Sequence, residues 1–336
     1  MRITRDILHK AARELVDERV KTERDILAIY LCGSTLEEEP LLGDSGDIDL
    51  VFIHYNEAET RREIVRLNDQ IHLDILHHPN TVYNQPRQLR TDPWLGTTVF
   101  DCKVLYDPQH FMDFTVASVR GQFDMPENVL ARAKIQVKQA RQIWTGLQLN
   151  PLSSGAPALA KYLESLERAA NAIVSLNGHP LTERRFLARL PYYAEAAGVP
   201  GMAVGILGLL GGLSLEKKIL SSWLPAWEAA YRAVNAFPDA PVQLHSYRLV
   251  YNRSALETWI ESPQPVYALW LLLRTWTMIV CTLGDENFHI ESWQHVSRYL
   301  GLIDENFEQR LSALDAYLDT IEEVLEDWGR EHGIKE

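Results

Sequence analysis

Hydrophobic and polar positions change their rhythm once along this chain, near residue 120. Before it, short apolar runs alternate with polar loops. The spacing predicts a helix over 4–20, then a strand at Ile26 to Cys32 that runs into Gly33-Ser34. A second strand is predicted over Asp47 to Ile53 and a third over Ile71 to Leu76, where apolar and polar residues alternate. Glu57 to Asp69 is polar, with Ile64 and Leu67 one helical turn apart, and reads as a helix. Residues 80–100 read as irregular with short helices. Lys103 to Tyr106 reads as a fourth strand closed by Asp107-Pro108.

Beyond that point the period is helical. Helices are expected over 109–120, 127–148, 157–177, 182–197, 215–236, 243–261, 264–283 and 304–328. Asn150-Pro151, Ser153-Ser154-Gly155, Asn177-Gly178-His179-Pro180, Gly211-Gly212 and Pro238-Asp239-Ala240-Pro241 punctuate them. The fold class is therefore α+β: a small mixed-sheet domain over 1–122, then an all-helical bundle over 123–336. In the last helix Phe307, Leu311, Leu314, Leu318, Ile321, Leu325 and Trp328 form a coiled-coil-like seam. It suits docking on its own bundle or pairing in a homodimer.

Composition refines this picture in three places. Val266 to Leu283 is apolar enough to raise a membrane span, but Arg274 at its centre would cost roughly 2.5–3.5 kcal/mol or more in lipid, so a buried core helix is expected. Three cysteines, Cys32, Cys102 and Cys281, with no CxxC spacing, speak against a disulfide framework or a thiolate zinc site. With an N-terminus that carries early charges and no apolar run, they point to a cytoplasmic protein. The net charge is −13, whereas proteins that hold nucleic acid usually carry a basic excess. That balance favours a small or cationic partner over nucleic acid.

The candidate chemistry lies in the first domain. Asp47 and Asp49 stand two apart on one strand, so both carboxylates point to one face. Like charges so close call for a cation, and oxygen ligands suit Mg²⁺. Aspartate is also a poor strand former, so two of them heading an apolar strand ask for a reason. Asp74, on the predicted third strand, would add a third carboxylate; three can hold two ions about 3.5–4 Å apart for in-line displacement at phosphorus. Asp74 would then be both a ligand and a proton acceptor. Gly33-Ser34 after the first strand offers a turn where backbone amides and a hydroxyl can meet a phosphate. His72, His77 and His78 do not make a zinc pattern.

Gly33-Ser34, then Gly46-Asp47-Ile48-Asp49-Leu50-Val51-Phe52, then a later strand carrying Asp74, together resemble the polymerase-beta-type nucleotidyltransferase superfamily. The match, over roughly 26–76, is similar in particular to kanamycin nucleotidyltransferase-like and minimal bacterial members. The resemblance implies a magnesium-dependent transferase that moves a nucleoside monophosphate, AMP from ATP first among the nucleoside triphosphates, to a hydroxyl of a small molecule or protein. It implies that Gly33 and Ser34 bind the triphosphate, and that Asp47, Asp49 and Asp74 hold two Mg²⁺ ions. One departure is the loop after Gly33-Ser34, which is long and carries Glu37-Glu38-Glu39 where many members have Arg-Gly. No cation lies beside the motifs in sequence, so phosphate contacts are expected from the helical domain. Lys161 comes first, then Arg168, with Glu164 one turn from Lys161. Tyr247-Arg248-Tyr251-Asn252-Arg253 has the make-up of a pocket wall without an assigned place. The rival readings are an antitoxin-like or non-catalytic nucleotide-binding protein and an RNA-end nucleotidyltransferase.

Overall fold

The computed structural model describes residues 3–149, 155–237, 240–284 and 287–334. Met1-Arg2 and the linker positions Asn150-Pro151, Ser153-Ser154 and Pro238-Asp239 lie outside the described residues. The chain divides into two compact units, one of Met1–Asp124 with His245–Ala255, the other of Met125–Leu244 with Leu256–Glu336.

The first unit runs α1 (Arg5–Thr22), β1 (Ile26–Cys32), β2 (Gly46–His54), β3 (Arg62–Arg66), β4 (Ile71–Pro79), α2 (Pro86–Leu89), α3 (Leu95–Asp101), β5 (Lys103–Tyr106) and α4 (Phe111–Arg120). Its five-stranded sheet has the order β3-β4-β2-β1-β5, with β2 and β4 parallel and the other neighbours antiparallel. β1 is apolar at every position because both of its faces are covered. On one face α1 lies down with Leu8, Ala12 and Val16, four apart, against Ile29, Leu31, Ile48, Leu50, Leu73 and Ile75. Thr4 opens that helix by accepting from the Ile7 amide. On the other face Tyr30, Val51 and Ile53 pack with Val99, Met112, Val116 and Phe123 from α3, α4 and the segment after them. Further along that second face the strands carry aspartates instead of aliphatics.

One predicted element is corrected. The helix expected over Glu57 to Asp69 is replaced by β3, an antiparallel partner of β4 at the sheet edge. The Ile64-Val65 pair is β-branched, and Asn68 closes the hairpin by accepting from the amides of Gln70 and Ile71 at 2.8 and 2.9 Å. Pairing with β4 outweighs the weak helical spacing of this polar stretch. Its flanking Arg62 and Arg66 suit an edge position.

The second unit holds α5 (Pro126–Leu149), α6 (Ala156–Val174), α7 (Phe186–Ala196), α8 (Gly201–Leu209), α9 (Lys217–Val234), α11 (Ala268–Leu283), α12 (Ile290–Tyr299) and α13 (Phe307–Glu331). Between α9 and α11 comes α10 (Arg248–Glu261), whose residues through Ala255 count with the first unit. Helices α8 and α12 fall where no helix was expected. The apolar stretch Pro265–Leu283 is the one described segment long and apolar enough to cross a membrane. It is instead a core element here: Trp270 stacks on Phe186 at 4.2 Å, and Thr275 accepts from Trp227 Nε1 at 2.9 Å. Arg274 at its centre pairs with Glu167 at 3.1 Å. The α13 seam is covered within its own unit, with Phe307, Leu311, Leu314, Leu318, Ile321 and Leu325 buried. Trp144 Nε1 on α5 donates to the Leu311 carbonyl, and Arg141 bonds Asp315, Asp319 and Glu322.

Candidate active site

Strand register builds the acidic cluster. In the parallel pair β2–β4, Asp47 stands opposite His72 and Asp49 opposite Asp74; in the antiparallel pair β1–β2, Cys32 stands opposite Asp49. Directly paired residues share a face, and so do residues two apart on a strand. Asp47, Asp49 and Asp74 therefore converge, with one carboxylate oxygen from each lying within 4.8 Å of the others. Asp47 and Asp74 are buried and Asp49 is half-buried. Burial first, then the Asp47 and Asp74 carboxylates, push Asp49 well above the usual aspartate range, against the opposing pull of Arg248 and Arg62. Three hard oxygen donors at this spacing, with one destabilised as an anion, fit a divalent cation.

Gly33 begins a short 3₁₀ turn, Gly33–Leu36, directly after β1. Its φ is +72°, and a Cβ there would stand 2.0 Å from Asp49 Oδ2 and 2.8 Å from Asp49 Cγ. Only glycine allows both the turn and the approach of this backbone to the carboxylate. Ser34 follows, half-buried, in the same turn. Two residues of the glutamate-rich loop line a separate hollow. They are Glu38 and Glu39, both exposed, and with Arg5, Asp44 and Gln70 they border a volume of about 550 Å³. Arg5 Nη2 anchors that loop by donating to the Leu36 carbonyl at 2.9 Å.

Two cations unforeseen at the motifs complete the cluster. Arg62 on β3 grips Asp74 with a fork: Nε to Oδ1 at 2.7 Å and Nη2 to Oδ2 at 2.6 Å. This bond holds the Arg62 guanidinium protonated even more firmly than usual. Arg248, at the start of α10, donates Nη1 to Asp74 Oδ2 at 2.8 Å and places Nη2 3.8 Å from Asp47 Oδ2. One turn on, the Tyr251 hydroxyl donates to Asp47 Oδ2 at 2.8 Å. The Tyr251 ring meets His72 edge-on at 4.9 Å and lies under the Arg248 guanidinium at 5.3 Å. Ser45, just before β2, ties this helix start down by donating to the Tyr251 carbonyl.

The expectation that the first domain supplies no positive charge at its motifs is thus corrected. Arg62 was hidden because its segment read as a helix, and only the β3–β4 register aims it at Asp74. Arg248 and Tyr251 lie far from the motifs in sequence. Their detectable signal was a polar-aromatic pair three apart at the head of a helix. Lys161 sits on α6 in the second unit, paired with Glu164 at 2.8 Å. With Arg168, Gln139 and Ile143 it lines a cavity of about 540 Å³ there. The structure joins Asp47, Asp49, Asp74 and Gly33 in one cluster within the first unit, whereas Lys161 belongs to the second.

No protein-family model matches this chain, and no curated protein does. Among solved structures it is similar to a nucleotidyltransferase-like protein from Exiguobacterium sibiricum, at 12% identity over 93% of this chain and 89% of that one, with a TM-score of 0.28. A likeness that loose leaves function to be argued from the residues.

Proposed function

We propose that this chain is a metal-dependent nucleotidyltransferase that moves a nucleoside monophosphate, AMP from ATP in the first instance, to a hydroxyl of a small molecule or protein. The observation that carries this reading is the convergence of Asp47, Asp49 and Asp74 on one face of paired strands, ligand atoms within 4.8 Å. In such a transfer the acceptor oxygen bonds to the α-phosphorus, the bond to the bridging oxygen breaks, and pyrophosphate leaves. Divalent ions held by the three carboxylates would polarise the triphosphate and make the acceptor hydroxyl more acidic. The chain's own groups would do the rest. The Gly33 backbone and the Ser34 hydroxyl bind phosphate oxygens beside Asp49. Tyr251 fixes the rotamer of Asp47, and Arg62 that of Asp74, so both carboxylates are positioned before substrate arrives. The acceptor's proton passes to a carboxylate of the cluster.

One observation favours a second reading, a nucleotide-binding protein without transfer activity: both oxygens of Asp74 already accept from guanidinium groups. Calorimetric titration with Mg²⁺–ATP, and then with the other triphosphates, separates these readings when wild type is compared with Asp47→Ala/Asp49→Ala. Metal-dependent binding that the double variant lacks, together with pyrophosphate release in the presence of an acceptor panel, is the expected result. Absence of metal-dependent binding for every nucleotide would sink both readings. Binding without pyrophosphate release would favour the second.

A further inference from the structure

The two arginines at the cluster hold it differently. Arg62 comes from the neighbouring strand and meets Asp74 through a two-point fork, a contact built into the sheet. Arg248 comes from a helix start and touches two carboxylates at once, Asp74 at 2.8 Å and Asp47 at 3.8 Å. Its side chain is 12% exposed and lies along the Tyr251 ring. Its positive charge therefore lies among oxygens that a divalent ion would need.

We propose that Arg248 is a tethered counter-ion that competes with the divalent ion for the aspartate cluster and passes to the phosphates of an incoming nucleotide once displaced. The second half rests on the nucleotidyl-transfer reading; the first does not. A tethered group acts at high effective concentration, so metal alone must displace it against a standing handicap. A planar guanidinium driven off a carboxylate finds in a phosphate a partner of the same geometry. Metal and nucleotide then assist one another, and by linkage each raises the affinity of the other by the same factor. Arg62 takes no part in the exchange and keeps Asp74 in position.

The test uses the full chain and Mn²⁺ as probe, with free Mn²⁺ counted by electron paramagnetic resonance, alone and with α,β-methylene-ATP. Without nucleotide, Arg248→Gln is expected to bind Mn²⁺ about tenfold more tightly than wild type, since a charge-assisted contact no longer has to be broken. The analogue should raise Mn²⁺ affinity strongly in wild type and much less in Arg248→Gln. Arg248→Lys, which keeps the charge but cannot span two carboxylates, should fall between, and it carries the test if the glutamine variant does not fold. Arg66→Gln removes a cation from the same sheet face that pairs with Asp69 and lies over the Tyr247 ring rather than on the three clustered aspartates, and reports the effect of nearby charge. The proposal is overturned if Arg248→Gln binds bare Mn²⁺ no better than wild type, or if Arg66→Gln gains as much. If the analogue fails to bind wild type, the nucleotidyl-transfer reading falls, while the Mn²⁺ comparison still decides whether Arg248 competes with metal.

Discussion

Replacing Gly33 by alanine should disable the acidic cluster while costing the fold little. The backbone there has φ +72°, a conformation costing an L-residue roughly 1–2 kcal/mol. The added Cβ would also lie 2.0 Å from Asp49 Oδ2, far inside van der Waals contact, so something must move. The turn follows a fully buried strand, so the carboxylate is the softer partner. Asp49 is already disfavoured as an anion by burial and by two neighbouring carboxylates, and rotating it away relieves that repulsion. The stability loss should therefore stay near 1–2 kcal/mol, read as a shifted midpoint in urea. Metal binding should suffer far more, because one of three ligands has left. Loss of even an outer hydrogen-bond partner typically weakens a metal site 10–100-fold, so a fall on the order of 100-fold in Mn²⁺ affinity is expected. Gly198→Ala supplies the control: its φ is +75°, and nothing lies within 4 Å of the position its Cβ would take. It should show the backbone cost and keep the metal affinity. Unchanged Mn²⁺ affinity in Gly33→Ala, or an equal loss in Gly198→Ala, would refute the close-approach argument.

Arg62→Gln removes the fork from a buried carboxylate; with Arg248 still on Oδ2 and Arg62 itself 28% exposed, a loss of about 2 kcal/mol is expected in urea unfolding. Arg62→Lys should recover less than half of it, lacking the second donor. In the second unit, burial pushes the Glu167 carboxyl up to about 7, with Arg274 opposing. A folded-state pKa above the unfolded one contributes stability that is complete below about pH 4 and is lost as pH rises through about 7, at up to roughly 1.4 kcal/mol per pH unit. Glu167→Gln should flatten that fall when unfolding midpoints are compared across pH 4 to 8. Asn171 is fully buried, accepts from the Leu181 amide at 2.7 Å and donates to its carbonyl; Asn171→Ala should cost about 2 kcal/mol in thermal or urea unfolding. Comparing Lys161→Gln with Arg248→Gln for Mg²⁺–ATP affinity tells which cation serves the phosphates: loss confined to the Arg248 variant is expected.

Strand parity made the Asp47–Asp49 pair legible, since a period of two admits one arrangement of neighbouring side chains. Asp74 was legible as an aspartate on the polar side of an alternating strand, with Leu73 and Ile75 turned the other way. Its alignment with Asp49 was not, because register is a property of two segments together and the parallel pairing of β2 with β4 is written in neither alone. β3 shows the same limit from the other side. Its residues are half-exposed at a sheet edge, so they lack the apolar density that marks an interior strand, and only β4 makes it a strand. Misreading that one segment removed Arg62 from view, because the same arginine on a helix would have no fixed relation to Asp74. The helices at Gly201–Leu209 and Ile290–Tyr299 were missed for a different reason: they are short, and glycine-rich or turn-rich boundaries obscure their period.

Charge explains why the missing residues had to exist. Three carboxylates facing one another with two of them buried cannot all stay ionised without positive charge nearby. The sequence alone justified demanding a cation, and a metal ion was the obvious supply. The folded chain brings two guanidiniums of its own to the same oxygens, one from the adjacent strand and one from more than 170 residues away in sequence. A site whose anions are already partly offset needs less from a metal in order to fold, and on the proposed reading its metal affinity is set by a competition rather than by the ligands alone. That makes the arginines part of the metal chemistry: a variant that removes Arg248 and one that removes Asp47 should shift Mn²⁺ affinity in opposite directions, although both break the same ion pair.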